Sequence, residues 1–206
     1  MGVPLLWGIL LLFHPVGDEF YPAVSDALTR WLTVHVGTML FIPLMAGVML
    51  LLLRDVEGTA AKVARVAVAV FAVVYLVFEA VVGIGTGLLV DNIDAVPASD
   101  RADLVEDYIE SPLLEVFEVV GSAGWIVAAI AAALALSRRT DGSRSVAVIL
   151  LLVLSAVPIT FHVTPFGPVG LAMFIAAVLL VVRDRSAARE PHPLDGAEHG
   201  VIPSVR

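Results

Sequence analysis

The chain has no cysteine among its 206 residues. That absence excludes disulfides, thiolate nucleophiles, Cys-ligated zinc, iron–sulfur clusters and quinone-linked dithiol chemistry. Charge is also scarce: 16% of residues are Asp, Glu, Lys or Arg, while 59% are hydrophobic. Soluble domains carry roughly a quarter charged residues, so an ordinary water-soluble globule is excluded. Lysine occurs once, at Lys62, and the other eleven basic residues are arginine. With Ala and Val abundant, this usage fits a high-GC bacterial genome. The chain has no HExxH, no His-x-x-x-His and no convincing internal repeat.

Long apolar runs are what it does have. A transmembrane helix needs about 20 apolar residues, and runs of that order lie at 31–53, 66–90, 113–137, 145–163 and 168–183. A shorter run at 3–13, continued through His14 and Pro15, gives a sixth candidate at 3–15. A cleaved signal peptide competes for this segment, but no Lys or Arg precedes its core and no small-x-small cleavage site follows it. The fold class expected is therefore all-α: a polytopic membrane helix bundle of about six transmembrane helices over 1–183. The tail from 184 to 206, with Pro191, Pro193, Gly196, Gly200 and Pro203, reads as a disordered cytoplasmic end that includes His192 and His199.

Basic residues set the orientation. Arg54, Lys62, Arg65, Arg138, Arg139, Arg144, Arg183, Arg185, Arg189 and Arg206 fall in alternate connections or in the tail, leaving only Arg30 and Arg101 elsewhere. Lys and Arg retain their loops in the cytoplasm, so both termini are expected inside (N-in/C-in) in a plasma membrane of bacterial type. Segments 14–30, 91–112 and 162–167 then lie outside, where Asp18, Glu19, Asp26, Asp91, Asp94, Asp100, Asp103, Glu106, Asp107 and Glu110 make an acidic surface. Such a surface keeps loops hydrated and excludes nucleic acid as a partner. Within 91–112, Asp100 and Asp103 form a capping-box-like pair ahead of Leu104, Val105, Tyr108 and Ile109. This pattern predicts a short amphipathic outer helix over 100–110.

Ionisable residues inside the spans are costly in lipid and mark candidate sites. His14 ends the first segment, His35 lies about 6 Å below the outer end of the second span, and His162 ends the fifth. Glu115 and Glu118 occupy the outer turns of the fourth span. Glu79 lies about 16 Å from the outer end of the third, on a face with Ala72, Tyr75, Gly83 and Thr86. All six fall in the outer half. Each has a plain structural alternative. Glu115 follows Ser111 and Pro112 and complements a helix dipole; His14 can bond loop backbone; a protonated Glu79 can donate a hydrogen bond, to Tyr75 or Ser122.

Three functional readings follow. In the first, His14, His35, Glu118 and His162 ligate a transition metal (Zn, Fe, Mn or Cu), with Glu115 a weaker member and Glu79 a buried acid beside it, or His35 and His162 bind haem as axial ligands. In the second, Glu79 carries a proton or cation through a small transporter whose helices bend at Pro43 and Pro158. In the third, the bundle is a noncatalytic scaffold that packs with the lipid bilayer and with itself or another membrane protein. The topology is tested directly: reporter fusions at residue 140 and at the C-terminus should read cytoplasmic, and a periplasmic signal at either overturns the orientation.

Overall fold

The computed structural model describes residues 2–138 and 142–187; the expected tail from residue 188 onward lies outside the described residues. All regular elements among the described residues are helical. They are α1 (Gly2–Leu11), α2 (Phe20–Ser25), α3 (Leu28–Leu52), α4 (Thr59–Phe78), a π-helical segment (Glu79–Gly85), α5 (Thr86–Asp91), α6 (Arg101–Ile109), α7 (Pro112–Ser137), α8 (Gly142–Phe161) and α9 (Phe166–Ala187). Five rods are long and apolar enough to cross a membrane, and Gly2–Leu11 is shorter.

The boundaries have local causes. Helix α1 ends at Leu11, not at residue 15, because Pro15 disfavours helical backbone at His14. The Leu11 carbonyl accepts from the His14 N–H at 3.1 Å and from the Thr164 hydroxyl at 2.7 Å. Pro112 sits in the first turn of α7, where its missing N–H costs nothing. Helix α9 runs past the expected limit of 183 to Ala187. Neither Asp100 nor Ser111 caps with its side chain, although each stands at the N-cap position. The Asp100 carboxylate instead accepts from the Ser99 hydroxyl at 2.6 Å.

Neighbour contacts close a ring in the order α1, α3, α4, α7, α8, α9 and back to α1. Large aliphatic side chains such as Leu40, Leu51, Val66, Val73, Leu134, Leu154 and Leu179 face outward and are exposed. A contiguous apolar exterior suits a bilayer and not water. At one end, α2, α5 and α6 pack over the bundle around Val24, Trp31, Val90, Ile93 and Val105. At the other end arginines clamp the C-terminus of α3. Arg185 donates to the Leu52 carbonyl at 2.6 Å, and Arg65 donates to those of Leu53 and Val56 at 2.7 and 2.8 Å. Cations there also oppose the negative end of the helix dipole.

The most extensive helix contact is α4 with α7, built from small residues that let the two backbones approach closely and gain van der Waals contact. Ala61, Ala64, Ala67 and Val68 of α4 are buried, as are Ala128, Ala129 and Ala132 of α7. Gly124 is the tightest point: a Cβ there would stand 2.8 Å from the Phe71 backbone nitrogen. Gly124→Ala should therefore destabilise by about 1–3 kcal/mol through overpacking. Gly47, with nothing within 4 Å of a built Cβ, should gain stability as alanine from helix propensity. Thermal unfolding of both variants in one detergent tests the pair, and equal shifts would contradict the packing.

Candidate metal centre

Four elements deliver one side chain each to the capped end of the bundle. His14 comes from the extended stretch after α1, His35 from the second turn of α3, Glu79 from the start of the π-helical segment, and His162 from the turn after α8. One ring nitrogen from each histidine lies within 4.8 Å of the other two. The rings form a triangle, with centroids 5.1 Å apart for His14 and His35, 5.5 Å for His14 and His162, and 5.9 Å for His35 and His162. Glu79 places one carboxylate oxygen 3.9 Å from His35 Nε2 and the other 3.9 Å from His162 Nε2. His14, His35 and Glu79 are buried.

Hydrogen bonds assign the same tautomer to all three rings. His14 Nδ1 donates to its neighbour's carbonyl at Pro15 (2.7 Å), and His35 Nδ1 donates to the Trp31 carbonyl one turn back (2.8 Å). The Tyr75 hydroxyl donates to the Thr160 carbonyl at 2.5 Å, so its oxygen is left to accept from His162 Nδ1 at 2.9 Å. Every Nδ1 is thereby a donor, and every Nε2 keeps its lone pair. His14 Nε2 and one Glu79 oxygen are buried without any hydrogen-bond partner. A buried unpaired polar atom costs about 1–3 kcal/mol, and two at one spot mark a place prepared for something else. Imidazoles held by backbone through Nδ1 with Nε2 free are the usual arrangement around a metal.

The surrounding backbone is shaped to permit this. The π-helical turn re-aims Glu79 and the residues after it relative to a regular α-helix, a feature that gathers at functional sites. Side chains from outside the segment hold it: Trp31 Nε1 donates to the Gly83 carbonyl at 2.6 Å and the Tyr108 hydroxyl to that of Val81 at 2.8 Å. Burial pushes the Tyr108 phenol above its ordinary range, which keeps it a donor. Gly83 is bare because any Cβ would overlap the His35 ring. Trp31 stacks on that ring, 4.0 Å between centroids. His162 has φ of 33°, the single non-glycine positive φ among the described residues, and such strain persists only where the surroundings impose it.

The remaining sequence candidates lie elsewhere. Glu115 and Glu118 are exposed on α7 and do not line the cavity above the histidines. Glu79 bonds neither Tyr75, whose hydroxyl is committed to Thr160, nor Ser122. Tyr75, Trp31 and Tyr108 are supporting residues that sequence reasoning did not assign. The visible signals were the spacings of Trp31 four residues before His35 and of Tyr75 four residues before Glu79, each of which puts two side chains on one helix face. Comparison with protein-family models, with curated proteins and with solved structures returned no match. The fold and cluster define a class only: an apolar helix bundle with a His/Glu constellation at one end.

The tautomers are measurable. In metal-free protein, nitrogen-15 imidazole spectra should show His14, His35 and His162 as neutral Nδ1–H rings, and an Nε2–H ring at any of the three would contradict the assigned network.

Proposed function

We propose that this chain is a six-helix membrane protein of a bacterial plasma membrane that holds a single transition-metal ion at the outer end of its bundle. His14, His35 and His162 are the ligands through Nε2, and Glu79 is the compensating carboxylate beside them. The observation that carries this reading is the convergence of three imidazoles, with a ring nitrogen of each within 4.8 Å of the other two and every Nδ1 already engaged. Orientation rests on the positive-inside bias: Arg54, Lys62, Arg65, Arg138 and Arg144 lie at the end of the bundle remote from the histidines, which puts the site outside. Helix α1 fills the sixth place in the ring, although its ten residues measure about 15 Å, half a hydrocarbon core.

The donor set favours one class of ion. Neutral imidazoles with a carboxylate and no thiolate suit zinc first, with copper and iron following, and three histidines with an open fourth position are a known catalytic zinc arrangement. A tetrahedral ion with 2.0–2.1 Å bonds needs nitrogens about 3.4 Å apart, within reach of side chains now within 4.8 Å. Haem is disfavoured, because it needs a planar slot between two opposed imidazoles and His14 stands against both His35 and His162. Transport is disfavoured too. Among the described residues, the buried ionisable group beyond Glu79 toward the basic end is Tyr75, whose hydroxyl is committed to the Thr160 carbonyl, and no buried carboxylate, histidine, Lys or Arg continues a path from there.

Metal analysis of detergent-purified protein tests the reading. The wild type should carry about one equivalent of zinc per chain, without a Soret band. His35→Ala and His162→Ala should lose it, and Tyr75→Phe should weaken affinity about 10–100-fold by freeing His162 Nδ1. A folded wild type that binds no metal when zinc is resupplied would overturn it.

A further inference from the structure

Above the three imidazoles lies a cavity of about 380 Å³ that reaches the surface beside Val16 and Asp18. An ion with ligands at about 2 Å needs only a small part of that space. The rest has the character of an organic pocket: Phe20, Phe78, Val82 and Val163 wall it, and polar groups are confined to the His/Glu floor and to Asp18 at the rim. Among the described residues no Lys or Arg lines the cavity and Asp18 stands at its rim, so no side-chain cation is there to pair with a phosphate or carboxylate head group. Among the described residues no Ser, Thr, Cys or Lys lines it either, so no hydroxyl, thiol or amine is placed to attack a substrate. With the imidazoles assigned to the metal and Glu79 to proton transfer, water is the nucleophile. Glu79, 1% exposed and with one oxygen unpartnered, is the base beside it.

Resting on the metal reading, we propose that the cavity takes an uncharged ester or amide of a hydrocarbon-chain acid and that the protein hydrolyses it. Three histidines leave a coordination position facing the cavity for water. Glu79 accepts one proton from that water as its oxygen bonds to the acyl carbon, and the ion holds the negative charge that develops on the carbonyl oxygen. The bond from the acyl carbon to the leaving oxygen or nitrogen then breaks, and the leaving atom takes the proton from Glu79. The products are a carboxylic acid and an alcohol or amine. Nothing is oxidised or reduced, and no co-reactant other than water is required. The apolar walls select the acyl chain, and Glu79 is the catalytic residue.

The test uses zinc-loaded full-length protein in micelles with 4-nitrophenyl acetate and 4-nitrophenyl decanoate as probes, and zinc content measured on the same samples. Saturable nitrophenolate release is expected, with kcat/KM higher for the decanoate and with loss on chelation. Glu79→Gln should retain its zinc yet lose 100-fold or more in kcat. Val82→Trp, which intrudes on the cavity wall, should raise KM for the decanoate more than for the acetate. Wild type with zinc bound that is no faster than zinc-loaded Glu79→Gln overturns the hydrolysis while leaving the metal site standing. Equal kcat/KM for the two esters overturns the chain preference. Absence of bound zinc overturns the metal reading, and the hydrolysis with it.

Discussion

Three imidazoles are held through Nδ1 while a ring nitrogen of each lies within 4.8 Å of the other two beside one buried carboxylate, and the local structure around them is arranged to keep that meeting in place. Glu79 is ionisable and 1% exposed, and burying a charge without a partner is costly. Its nearest polar neighbours are two ring nitrogens at 3.9 Å, neither close enough to be a hydrogen bond. A cation among the three imidazoles would take up their lone pairs and bring a positive charge near the buried carboxylate. No other group among the described residues resolves both at once.

Much of the local irregularity is intelligible as a consequence. A regular α-helix through residues 79–85 would aim Glu79 and Gly83 differently, and the π-helical turn is held by donors from α3 and α6. Gly83 makes room for His35, Trp31 stacks on its ring, and the chain leaves α8 through a left-handed His162. Away from this end the bundle is regular and apolar. The α4/α7 seam of alanine and glycine holds the helix bearing Tyr75 and Glu79 against its neighbour, and arginines at the far end tie α3 to α4 and α9.

Helical class and the apolar rods were legible in the chain because their signal is local: hydropathy over 20 residues needs no knowledge of neighbours. Polar residues in those rods stood out for the same reason, which made His14, His35, Glu79 and His162 visible one by one. Their juxtaposition was not legible. It depends on α1 packing between α3 and α9, a pairing between helices more than 150 residues apart in sequence. Glu118 shows the limit well. Its spacing puts it on a face with Gly121 and Trp125, both buried, yet Glu118 itself is exposed, because a helix face is about 100° wide and one residue at its edge turns outward. The π-helical segment had no signature beyond its glycines, and the early end of α1 was written in Pro15 but outweighed by the hydropathy of the run.

Zinc X-ray absorption of the loaded protein in detergent tests the central claim most directly, because it counts imidazoles at the metal. The account predicts a four- or five-coordinate ion with three nitrogen scatterers near 2.0–2.1 Å, imidazole multiple scattering of matching amplitude, and a drop to two imidazoles in His14→Ala. A spectrum fitted by oxygen ligands alone, or by one imidazole in the wild type, would contradict the convergence on which the rest of the interpretation stands.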